Sequence, residues 1–320
     1  MNTINKRQKE VLQSQLNDEK AVLNALKKTY EDALSEIYGK IAQLMERYDA
    51  DMQHVIYQVQ YQEALKTQIQ AILETLQTNE FETLSEYLTK AYEEGFLGAM
   101  YDMQGQGIPL VFPIDQEQVM EAIMMETNLS EELYAKLGKD VKDLQKKIAS
   151  EISRGISAGL MYKEMARNIE ALAKIPKNNA MRIARTEAHR IQCKAAYDAQ
   201  WKAKSKGADV VKQWNATLDN KTRDSHRDLD GEIKELEEKF SNGLEYPGDP
   251  HGEAGEVINC RCALLQRARW NLGMPLKRTE GDIEEDKDGT MQYVTIESKN
   301  YNEFKGYYRD ITGQMTMNLN

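Results

Sequence analysis

From Leu12 to Tyr48 the apolar residues return at steps of three and four: Leu23, Leu26, Tyr30, Leu34, Ile37, Ile41, Leu44 and Tyr48, with Lys, Glu, Gln and Asp between them. That spacing lines them up on one side of an α-helix and predicts a helix with a single narrow apolar stripe. Because the period is close to a heptad, the stripe calls for a partner helix rather than a sheet. The pattern resumes after the polar break Tyr48-Asp49-Ala50-Asp51 with Val55, Ile56, Tyr61, Leu65, Ile69, Ile72, Leu73 and Leu76, so an antiparallel helical hairpin is expected. A third piece, Phe81 to Met100, carries Leu84, Tyr87, Leu88, Tyr92 and Phe96 before Gly105-Gln106-Gly107-Ile108-Pro109 ends it.

Beyond the short apolar segment Ile108 to Pro113, Asp115 and Gln118 have the spacing of a capping pair and open a helix through Met125. Ser130 is expected to cap another, which runs from Glu131 past Ile148 and Ile152 towards Gly159. A further helical piece, Tyr162 to Lys174, should stop at Ile175-Pro176, and Lys177 to Lys206 should form one more helix closed by Gly207. The texture changes at Val210, where VVKQWNA has the look of a strand and leads into the loop Thr217 to Arg223. Short turns and strands follow as far as Leu265. The tail from Asn271 holds an acidic run (Glu280, Asp282, Glu284, Glu285, Asp286) and a candidate strand, Met291 to Ile296, and is expected to extend from the body or dock on a neighbour. No internal repeat is evident.

The fold class that results is mainly α with a small α+β C-terminal module. In sequence order it divides into a helical hairpin arm at 1–107, connecting helices at 108–176, the module at 177–270 and a polar tail at 271–320. The composition fits long helices with much solvated surface, since 29% of the 320 residues are charged. Three cysteines cannot complete a disulfide framework, and the first residues lack the apolar core of a secretory signal, so synthesis in a reducing cytoplasm is expected. No run approaches the roughly 18 to 20 apolar residues needed to cross a bilayer.

A net charge of −10 argues against a protein that coats nucleic acid over its whole surface. One block departs from that balance. Lys174 to Lys206 holds nine basic residues against Glu187 and Asp198, a local balance of +7. Within it Arg182, Arg185, Arg190, Lys194 and Lys202 are the candidate contacts for DNA or for an acidic protein surface.

Residues capable of chemistry bunch between Asp219 and Cys262: Asp219, Asp224, His226, Asp228, Asp230, His251, Cys260 and Cys262. If Cys260 to Leu265 is a strand, alternation puts both thiols on one face with Cα atoms about 6.6 to 6.8 Å apart, too far for a relaxed disulfide. Two thiolates aimed into one space, with an imidazole from His226 or His251, could instead fill three or four positions around Zn²⁺. Alternatively the cysteines are small buried apolar residues, and His226 simply hydrogen-bonds a carboxylate. A cysteine nucleophile would need an activating base or helix terminus that the sequence does not display. No phosphate-binding glycine loop, HExxH or GxSxG occurs.

Taken in order, several of these pieces resemble a known family: Ala184-Arg185-Thr186-Glu187 on a helix, then Trp214, Asp219, Thr222-Arg223-Asp224-Ser225-His226, Leu229-Asp230-Gly231, Phe240, Tyr246-Pro247-Gly248-Asp249-Pro250 and Asn259-Cys260-Arg261-Cys262. The stretch from Met161 to Leu265 is similar to the phage head morphogenesis, or Mu F-like minor head, family. The resemblance implies a minor structural protein of a tailed bacteriophage. Such a protein is associated with the portal vertex and capsid interior of the virion, after assembly in the host cytoplasm, and acts in head assembly and in DNA packaging or delivery. Its partners would be the portal protein, other head proteins and packaged DNA. It also implies a metal site, with Asp219, His226, Cys260 and Cys262 at the matching positions and His251 as a substitute. Two other readings stay open: a metal-dependent hydrolase, such as a nuclease, built on Asp219 and His226, and a DNA-binding module using Lys174 to Lys206.

Overall fold

The computed structural model describes residues 4–50, 55–124, 128–157, 162–272, 292–293 and 295–317. Helices dominate: α1 (Lys6–Ala50), α2 (Val55–Gly105), α3 (Gln116–Met124), α4 (Asn128–Ser157), α5 (Tyr162–Ser205), α6 (Asp224–Asp228), α7 (Ala254–Val257) and α8 (Tyr301–Met317). The strands are short: β1 (Leu110–Val111), β2 (Val210–Asn215), β3 (Ile233–Lys234), β4 (Ala263–Ala268) and β5 (Gln292–Tyr293). The mainly α class with a small α+β module is therefore what the chain adopts. Among the described residues, no helix is long and apolar enough to cross a membrane.

Two compact units emerge, and they interleave along the chain. One comprises Met1–Glu19, Tyr87–Thr127 and Arg185–Asn320, the other Lys20–Glu86 and Asn128–Ala184. The sequential division at 107, 176 and 270 differs from this because α1, α2 and α5 each run through both units, so no change in composition marks the passage.

In the smaller unit the predicted stripes are the core. Leu26, Tyr30, Ile37 and Ile41 from α1 are buried, as are Leu65, Ile69, Leu73 and Leu76 from α2 and Leu144, Ile148 and Ile152 from α4. The Tyr30 hydroxyl donates to Glu80 Oε1 across 3.2 Å, which is the antiparallel register expected of the hairpin. Two expected breaks are absent. The second and third apolar pieces form one helix, α2, and α5 continues through Pro176. A proline inside a helix removes one backbone donor and crowds the preceding turn. Here Ile169 and Ala173 before it, and Ala180 and Ile183 after it, stay buried on the same side, so packing outweighs the local break. Ser130 falls inside α4 rather than ahead of it.

In the larger unit α1 and α2 are again antiparallel. Asn5 and Gln8 donate to Asp102, Ser14 to Glu94, and Lys90 pairs with Asp18. Asn5 and Gln8 also exchange backbone and side-chain bonds as a capping box for α1. At α3 the expected box is only half made: Asp115 accepts from the Glu117 N–H, whereas among the described residues none bonds the buried Gln118 Oε1. Gly207 closes α5 as predicted, with φ +87° and the bonds Gly207 N–H to Lys204 O and Ala208 N–H to Ala203 O that satisfy the last helical carbonyls.

Strand β2 is buried along its whole length and is the centre of an antiparallel sheet of order β3-β2-β4, with Trp214 opposite Leu264. Fully buried Lys212 in β2 donates to the carbonyls of Leu236 and Glu245 and lies over the rings of Tyr197 and Phe240. It thereby ties the loop 236–245 to the sheet; burial lowers its pKa to about 8.

The described parts of the tail pack on the body of the chain rather than extending from it. Strand β5 pairs antiparallel with β1, and α8 buries Tyr301, Phe304 and Tyr308. The rings of Tyr301 and Phe304 stand 5.3 and 5.1 Å from that of Tyr101. The Tyr308 hydroxyl donates to Phe112 O. The spacing of these three aromatics, three and four residues apart, is the signal for a helix in a segment whose polarity masks it. The acidic run at 280–286 and His54 lie outside the described residues.

Candidate metal centre

Asn259, Cys260, Arg261 and Cys262 precede β4 rather than forming its start, which corrects the expectation of a strand from Cys260. Asn259 takes the left-handed conformation, φ 54°, a geometry asparagine tolerates better than most residues. Its N–H donates to Thr186 Oγ1 at 3.2 Å, and the Cys260 N–H donates to Val257 O. This tight local path, not strand alternation, turns both thiols into the same space.

His226 reaches that space from α6. Its backbone N–H donates to Arg223 O, and the Arg223 guanidinium donates to Ile258 O, which ties α6 to the cysteine loop. Trp214 from β2 meets the imidazole edge-on, with centroids 5.3 Å apart, and meets Phe240 in the same way at 5.1 Å. The outcome is a buried group of His226, Cys260 and Cys262 whose donor atoms all lie within 4.8 Å of one another. His226 Nδ1 is 3.3 Å from Cys262 Sγ and 3.6 Å from Cys260 Sγ, while Nε2 is 2.7 Å from Glu256 Oε2.

The electrostatics follow from that packing. The hydrogen bond from Cys260 and the His226 imidazole outweigh burial and hold the Cys262 thiol below its usual range, whereas Cys262 drives Cys260 upward. Burial works to lower His226, but Cys262 and Glu256 outweigh it and the net direction is upward. The indole of fully buried Trp214 acts on Cys262 in the same downward direction as Cys260 and His226. Two soft sulfur donors and an imidazole with its far nitrogen held by a carboxylate form a set suited to a tetrahedral metal such as Zn²⁺.

Of the expected ligands, the structure brings together His226, Cys260 and Cys262 and leaves Asp219 and His251 out. Asp219 sits on the exposed loop before α6, where Arg261 binds both its oxygens and holds its carboxyl well below the usual range. His251 is exposed and pairs with buried Asp249 at 2.9 Å. Asp228 and Asp230 also lie outside the group; Asp230 Oδ1 accepts the Ala216 N–H. Sequence reasoning missed Glu256, thirty residues from His226 and unmarked by its neighbours.

Much of the remaining pattern is scaffold. Tyr246 packs on Tyr197 at 5.3 Å, and Asp249 accepts the backbone N–H groups of Glu245 and His251. Gly248 has φ +84°, and a Cβ there would come within 3.2 Å of the Arg190 Cα. Gly248→Ala should therefore cost about 1–2 kcal/mol through its left-handed backbone alone, read as a lower denaturation midpoint.

The basic block is spent largely inside the chain. Arg190 is fully buried against Glu187 at 2.9 Å and donates to Ala122 O, which removes it from any surface contact. Arg185 pairs with Glu19, Lys194 with Asp198, and Lys202 donates to Pro113 O. Arg182 donates to Asn179. Beside the metal candidates lies a cleft of about 630 Å³, lined among others by Cys193, His189, Leu218 and the cysteine loop. Burial lowers His189 to about 4 and raises Cys193 to about 12, so neither is charged near neutrality.

Residues 146–265 match the family model described as Phage Mu protein F like protein, and the resemblance read between Met161 and Leu265 holds. The chain is 28% identical to the Minor head protein GP7 of Bacillus phage SPP1 over 75% of its own length and 80% of that protein's. It is also 28% identical to the NAD(+)--arginine ADP-ribosyltransferase EFV of Enterococcus faecalis, over 83% of its length. It spans only about half of that relative, 55%. No solved structure matches the chain.

Proposed function

We propose that this chain is a minor structural protein of a tailed-phage head, located in the virion at the portal vertex or capsid interior, and acting in head assembly and DNA packaging or delivery. The observation that carries this reading is the alignment along 80% of the SPP1 minor head protein. Supporting it, the family-matched segment holds a buried clasp of His226, Cys260 and Cys262 that fastens α6 to the cysteine loop. In this reading the three residues hold Zn²⁺ or a similar ion, which supplies cross-linking of the loops rather than turnover.

A hydrolase built on Asp219 and His226 is the weaker reading. Its two residues serve different partners, Arg261 and Glu256, and stand apart in the described geometry. The activity named for the Enterococcus relative belongs to a protein of which much lies outside the match.

Co-expression with a candidate portal protein, followed by size-exclusion chromatography with mass measurement, tests the proposal. A shared peak at the mass of a mixed complex is the expected result, and separate elution at all salt concentrations counts against it.

A further inference from the structure

We propose that Glu256 is a positioning residue for a divalent-metal centre, holding the His226 ring so that Nδ1 is the nitrogen offered to a metal beside Cys260 and Cys262. This rests on the metal reading above and adds to it the donor atom and the residue that selects it.

The geometry points to that role. The imidazole is buried, with Nε2 2.7 Å from Glu256 Oε2 and Nδ1 facing both sulfurs. With Nε2–H donated to the carboxylate, the Nδ1 lone pair is left free for a metal. A half-turn of the ring would place Cδ2 where Nδ1 now stands and lose the carboxylate bond as well. Glu256 is itself held, because the Ser225 hydroxyl donates towards both its oxygens at 3.2 and 3.3 Å. Its helix α7 runs directly into the cysteine loop through the Ile258 N–H to Ala254 O and Cys260 N–H to Val257 O bonds. One stiff piece of chain thus carries the carboxylate on one side of the imidazole and both thiols on the other. Trp214, edge-on to the ring, fixes its tilt.

The test is titration of the full chain with Zn²⁺ and with Co²⁺, following the sulfur-to-cobalt charge-transfer and d–d absorption. The proteins compared are wild type, His226→Ala, Glu256→Ala and Glu256→Gln, with far-UV circular dichroism reporting the fold. Wild type should take up the metal stoichiometrically and His226→Ala should lose it. Glu256→Ala should bind about 10–100-fold more weakly. Glu256→Gln, neutral but still an acceptor for Nε2–H, should lose less affinity and show shifted d–d bands. Failure of wild type to bind either metal overturns the metal reading and the role of Glu256 together. Binding that His226→Ala abolishes, but that keeps its affinity and spectrum in the folded Glu256 variants, overturns the role of Glu256 alone.

Discussion

Replacing Asp102 by alanine is expected to lower the stability of the larger unit by about 2–6 kcal/mol, since two buried amides lose their acceptor at about 1–3 kcal/mol each. Asp102 is 1% exposed and receives four side-chain amides: Asn5 Nδ2 on Oδ1 at 2.6 Å, and Gln8, Gln106 and Gln266 on Oδ2. The donors come from the start of α1, the end of α2 and β4, so a single carboxylate joins three elements distant in sequence. Burial pushes its pKa up despite these bonds, which pull the other way. Its removal strands the buried amides of Gln8 and Gln266, and that loss exceeds the value of any one hydrogen bond. Urea denaturation followed by circular dichroism reads the effect; a change below about 1 kcal/mol would show that the network relaxes around the gap.

The second large effect concerns pH. Glu80 is 1% exposed, and burial raises its pKa from 4.5 to about 7, although the Tyr30 hydroxyl bond works in the opposite direction. The folded state therefore holds a proton that the unfolded state has released. Between pH 4.5 and 7 the native form binds more protons than the denatured one, so stability falls as pH rises through that window. The shift corresponds to roughly 3 kcal/mol once Glu80 is ionised in both states. Glu80→Gln should remove this slope, leaving it equal to wild type near pH 4 and more stable above pH 7. Denaturant midpoints of the two proteins measured across that range give the difference directly, and parallel curves would refute the assignment.

The long helices were legible because a stripe such as Leu26, Tyr30, Ile37 and Ile41 can be buried only on one side of a helix, whatever it packs against. Their ends were less so. Pro176 and the polar stretch between Leu76 and Phe81 signal interruption locally, and burial on either side overrides both. The tail reads as polar, yet three aromatics are enough to dock α8. At the site, the cysteines and His226 stood out because their types are rare in this chain. Glu256 and Asp219 were not distinguishable by type, since both are carboxylates and only their partners in space set them apart.

By itself the sequence determined the helical class, the strand at Val210, the closing turn at Gly207 and the residue types able to bind a soft metal. These follow from periodicity, backbone preference and side-chain chemistry, which are properties of neighbouring residues. Only the tertiary structure decided that the thiols converge through the left-handed turn at Asn259, that Arg190 is buried rather than displayed, and that Glu256 rather than Asp219 answers His226. Those outcomes depend on which distant segments exclude water together, and no local pattern encodes that choice.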